Sequence, residues 1–116
     1  MMLKIMGTKA ELLARSVRDH LADCLQTLPF LIEQNNAASL HFYFANMSYM
    51  RKTLFPSAIL AYQQWVEAGT LDPLKKTIRQ AIPHWEGAMQ SLLMLDKKPT
   101  KNITRDITTF IEQAVY

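Results

Sequence analysis

Apolar positions recur every three or four residues along most of the chain. Leu12, Leu13, Val17, Leu21, Cys24, Leu25 and Leu28 draw one broad stripe, with Arg15, Arg18, Asp19 and Asp23 off it. That period predicts an amphipathic helix. Thr8, with Glu11 three residues later, offers a capping box at its start. Pro29 has no amide hydrogen and predicts a kink or a restart. A short helical piece should follow through Ile32 to Gln34 and end at Asn35-Asn36.

Residues 37–52 read two ways. Leu40, Phe42 and Phe44 alternate like a strand, whereas Leu40, Phe44, Met47 and Arg51 align on a helix. Helix is the better reading, because Asn36 can cap it and no turn signal supplies a hairpin partner to satisfy a strand's backbone. The scattered aromatics predict a central helix buried on more than one side.

Pro56 suits the first turn of the next helix, along which Ile59, Leu60, Tyr62 and Val66 run, and Gly69 suits its end. Asp72 as cap and Pro73 as first residue predict a restart, with Leu74, Thr77, Ile78, Ala81 and Ile82 facing inward. Pro83 then predicts a kink or a new helix carrying Trp85, Ala88, Met89, Leu92, Leu93 and Leu95. Residues 96–102 read as a solvated loop. Asn102 caps a last helix on which Ile103, Ile107, Phe110, Ile111 and Ala114 recur. The expectation is an all-α fold, a compact helical bundle of about five or six helices. It forms one domain over residues 1–116, with residues 1–7 as a mobile or extended arm.

Composition narrows the picture. Hydrophobic residues make up 49% of the 116 and charged residues 20%, which is globular and not disordered. The single cysteine, Cys24, excludes an intramolecular disulfide framework and reads as a buried thiol. No apolar run approaches the 18 or so residues of a membrane span, so a cytoplasmic protein is expected. The net charge of +3 falls entirely within residues 51–116, mainly in Arg51-Lys52, Lys75-Lys76-Arg79 and the Lys97–Arg105 tract.

Signatures of chemistry are few. His20, His41 and His84 fall on three different elements, without His-Glu-x-x-His or paired cysteines, so no metal is expected. Isolated glycines offer no phosphate loop, and no cofactor is expected. Arg15 and His20 are spaced as in small helical ribonucleases of the higher-eukaryote-and-prokaryote nucleotide-binding kind, where a cation holds phosphate and histidine moves a proton. Here Ser16 follows the arginine, the same spacing recurs at Arg79 and His84, and Arg15 lies on the first helix. That reading stays remote.

Lys75, Lys76 and Arg79 share one helical side after a tight turn, as in a nucleic-acid reader, although bulky Trp65 occupies the place of a small crossing residue. Protein–protein interaction is the leading expectation, with no enzymatic activity. Seven methionines and dense aromatics exceed what one core stripe requires. The expected partner is a protein or a second copy, in an adaptor, inhibitor or chaperone-like role. The expected contact residues are Tyr43, Tyr49, Met50 and Trp85.

Overall fold

Helix α1 runs from Lys4 to Ala22, so it begins before the capping box. Thr8 falls within the body of this helix, and the backbone of residues 4–7 is helical. Gly7 costs a helix interior only about 1 kcal/mol relative to alanine, and docking of an amphipathic helix outweighs that. The computed structural model describes the backbone of residues 4–97 and 103–116 and the side chains of residues 10–94 and 107–116.

A π-helical turn, Asp23–Thr27, joins α1 without a break to α2, Leu28–Glu33. Pro29 explains it. Proline cannot donate to the carbonyl of Leu25 four residues back, and the ladder widens just upstream, where the Leu28 N–H bonds to Asp23 O. Pro29 itself sits in the first turn of α2, where its fixed φ suits the helix. The wider turn also resets which residues face inward. His20, Cys24 and Leu28 are four apart and all buried, a spacing that would drift by about 40° per step on a regular α-helix. Leu25, expected on the stripe, is 51% exposed instead.

Asn35 turns the chain with a positive φ of 53°, a conformation asparagine tolerates. The Asn36 side chain then accepts from the Ser39 N–H at 3.1 Å and caps α3, Ala37–Ala45. The expected single helix over residues 37–52 is in fact two. Asn46 donates its side-chain amide to Phe42 O at 2.8 Å, one of the local bonds that compete with helix continuation. Ser48 caps α4, Tyr49–Leu54, by accepting from the Arg51 N–H.

Helix α5, Pro56–Ala68, carries proline in its first turn and ends at Gly69, whose φ of 76° lets its N–H reach Trp65 O at 2.8 Å. Helix α6, Asp72–Lys97, starts one residue earlier than expected, so Asp72 lies in its first turn and Thr70 Oγ1 accepts the Asp72 N–H. It passes through Pro83 without ending. Flanking helices hold it: α1, α5, α7 (Ile103–Ala114) and the π turn all pack on α6. Residues 98–102, including the expected cap Asn102, lie outside the described residues.

The described residues are almost wholly helical, with no strand among them, as an all-α bundle should be. At 26 residues, α6 is about 39 Å long, against a longest molecular dimension of 49 Å. It is the spine on which the others lie. Trp85, at its middle and fully buried, packs edge-on against Phe55, also buried. Trp85 therefore belongs to the core and does not open the surface patch expected of it. Its ring is the largest fully enclosed side chain, so apolar burial drew it inward.

Candidate functional site

His20 and Asp23 are three residues apart, so the junction of α1 and the π turn places both on one face. Tyr43 comes to them from α3 and Arg51 from α4. Arg51 Nη2 pairs with Asp23 Oδ2 in a very short contact and donates to the Tyr43 hydroxyl at 2.9 Å. The Tyr43 hydroxyl in turn donates to Asp23 Oδ2 at 2.6 Å. The guanidinium carbon stands 5.6 Å from the Tyr43 ring centroid, within cation–π range.

His20 closes the cluster from beneath. It is fully enclosed, stacked on Trp85 at 5.0 Å with Phe55 edge-on at 5.0 Å. Its Nε2 lies 3.0 Å from the backbone oxygen of Arg51 and must carry the proton. Nδ1 is then a lone pair, which accepts from Arg51 Nη2 at 3.4 Å. Burial, reinforced by the Arg51 charge, lowers its pKa to about 4, against weaker opposing pulls from that carbonyl bond and from Asp23. The imidazole is neutral at neutral pH.

Burial works against the charge of Arg51 too, yet Tyr43 and Asp23 outweigh it and raise the pKa of the guanidinium above its ordinary value. Burial raises the Tyr43 phenol well above its usual range. It also pushes the neighbouring Cys24 thiol up to about 12, with Asp23 adding to the shift. Both ring nitrogens of His20 are engaged and the phenol keeps its proton. The arrangement is thus suited to holding a guanidinium in one orientation rather than to moving protons.

Arg51 and Tyr43 also face outward. With Ser39 and Asn46 they form the polar lining of a groove of about 700 Å³ between α2, α3 and α4, whose apolar lining is Leu31, Ala38 and Phe42. That volume lies in the range of sites that hold a ligand or a few partner side chains. Phe42 is 65% exposed on it.

Two other features bracket the core. A cleft of about 340 Å³ between α6 and α7 is lined by Pro83, His84, Gly87 and Phe110 among others. It is clasped by His84 Nε2 donating to Ala114 O at 2.6 Å and by Tyr116, whose ring lies tilted against His84 and whose N–H donates to Leu54 O at 2.9 Å. On α3, His41 bonds the Tyr62 hydroxyl at 2.7 Å and leans on Trp65.

The residues singled out from the sequence are not gathered into one patch. Tyr43 is half-buried in the polar cluster, Met50 is half-buried against the core, and Tyr49 is 85% exposed at the start of α4. Trp85 is enclosed. Lys75, Lys76 and Arg79 are exposed on α6, and no ion pair among the described residues engages them. Arg15 is exposed while His20 is enclosed and held by Arg51; Arg79 is exposed while His84 is tied to Ala114. Neither ribonuclease-like spacing therefore forms a paired site.

The sequence reading missed the cluster of His20, Asp23, Tyr43 and Arg51. The spacing of His20 and Asp23 was a legible signal, but their partners lie 20 to 31 residues further on. No metal-ligating group occurs among the described residues, and none of their helices is long and apolar enough to cross a membrane. No curated protein and no solved structure matches the chain. A family model described as the C-terminal domain of DUF6866, a family of unknown function, matches residues 1–114, and the chain belongs to that family.

Proposed function

We propose that the protein works by binding another protein in the groove between α2, α3 and α4, in an adaptor or inhibitor role. The observation that carries this reading is Phe42, a large ring left 65% exposed beside a guanidinium already fixed by three partners. Exposed aromatic surface beside a preorganised arginine is the usual composition of an interface anchor. The groove is also the larger of the two cavities described, and its apolar lining is contributed by helices α2 and α3. Of the four residues expected to make contact, Tyr43 lines this groove.

A photo-crosslinking amino acid at position 42, expressed in the native cell, tests the reading. A discrete product is expected, absent when the same group replaces Lys76 on the far helix. A product of twice 13.3 kDa would make the partner a second copy. Equal labelling from both positions, or none, would reject the groove as an interface.

A further inference from the structure

We infer that the segment seated in this groove carries a carboxylate, beside a large apolar side chain, and that Arg51 receives it. The inference rests on the reading above and adds the chemistry of the partner. It starts from an inventory of donors. A guanidinium has five N–H groups. The two on Arg51 Nη2 serve Asp23, Tyr43 and His20 together. Nε is buried with no acceptor, and Nη1 makes no hydrogen bond among the described residues. The side chain keeps 17% exposure, and Arg51 is the one charged residue in the groove lining. Asp23, which offsets its charge, does not line the groove. A partner thus meets a fixed positive edge beside the apolar surface of Leu31 and Phe42.

That edge discriminates among occupants. A wholly apolar segment would strip water from a guanidinium and return no acceptor, which is costly. A basic segment would meet a like charge. A carboxylate supplies a charge-assisted acceptor, and the arginine needs no reordering to use it, because Asp23, Tyr43 and His20 already hold it. A neighbouring leucine or phenylalanine of the partner would then cover Phe42. An acidic, apolar-flanked segment of a partner protein satisfies both halves of the groove.

The test titrates the full chain, observed by NMR, with two blocked tripeptides, N-acetyl-Leu-Glu-Phe-amide and its glutamine counterpart. The glutamate peptide is expected to shift the amides of Leu31, Ser39 and Phe42 and to bind about tenfold more tightly, as a charged hydrogen bond should. Arg51→Lys should reduce that preference. Phe42→Ala, at an exposed position that folding does not need, should weaken both peptides. Equal binding of the two peptides, or shifts confined to another face, would overturn the carboxylate while leaving groove binding intact. Failure of both peptides to perturb the groove would also overturn it. The underlying reading falls with it only if the cross-link from position 42 is absent as well.

Discussion

His20 is neutral because it is enclosed beside a cation, and this fixes the sign of a pH dependence. Its pKa is about 4 in the folded chain against 6.5 as the ordinary value. Between those values the unfolded chain binds a proton that the folded chain refuses. Stability is therefore complete above the ordinary value and is lost as pH falls through this window. Linkage puts the loss at about 2 kcal/mol between pH 7 and pH 5. Urea unfolding at the two pH values measures it, and His20→Gln should flatten the difference. Glutamine keeps a donor for Arg51 O but does not titrate. Beside it, Cys24 carries a buried thiol pushed up to about 12. At pH 8 it should resist a disulfide reagent for as long as the chain stays folded, and react promptly in denaturant. Arg51→Ala would leave Asp23 only partly exposed and without its cation, at a cost of about 3 kcal/mol. Tyr43→Phe, which leaves the ion pair in place, should cost about 1 kcal/mol. The two effects should fall short of additive in a double-mutant cycle, since all three groups share one network.

The elements divide into those governed by local signals and those governed by packing. Asn36, Pro56 and Gly69 act where their chemistry predicts, because a cap, a donor-free first turn and a left-handed residue each need only immediate neighbours. Asn36→Ala and Ser48→Ala should each destabilise the fold by about 1 kcal/mol in chemical denaturation. A Cβ at Gly69 would meet nothing within 4 Å, so Gly69→Ala isolates the backbone cost of φ 76°, about 1–2 kcal/mol. Other boundaries were not legible for definable reasons. The break at Asn46–Ser48 depends on a side chain competing for a backbone carbonyl. The π turn arises upstream of the proline that causes it, and a constant helical period cannot register the change. Pro83 left a kink or a new helix open, and α6, held by several neighbours, continues through it. The apolar pattern therefore conveyed the all-α class and most helices. Which of Trp85, Phe55 and Phe42 would be enclosed depended on how distant helices meet.

For the whole molecule, charge and shape can be tested together. Lys75, Lys76 and Arg79 are solvated on the spine helix, and replacing all three with alanine should change stability by less than about 0.5 kcal/mol. Random duplex DNA at physiological salt should show no binding at micromolar protein. A complex that weakened with salt and with the triple substitution would favour the nucleic-acid reading over the groove. The polar cluster was legible only in its first half, His20 and Asp23, since helix-to-helix contacts are not encoded in spacing.

Helix α6 touches α1, α5, α7 and the π turn, so its inward-facing central residues, Ile78, Ala81, Trp85 and Ala88, are covered by several neighbours at once. Helix α3 is held differently, chiefly by α2 and by the stacking of Phe44 on Tyr62 at 4.4 Å. Amide exchange should therefore divide the chain into two clocks. The α6 centre would exchange only through global unfolding, and α3 through a cheaper local opening. The faster clock belongs to the helix that carries Phe42 and Tyr43. The groove can then open without loosening the spine, and occupancy by the proposed partner should be readable as a selective slowing of exchange in α3.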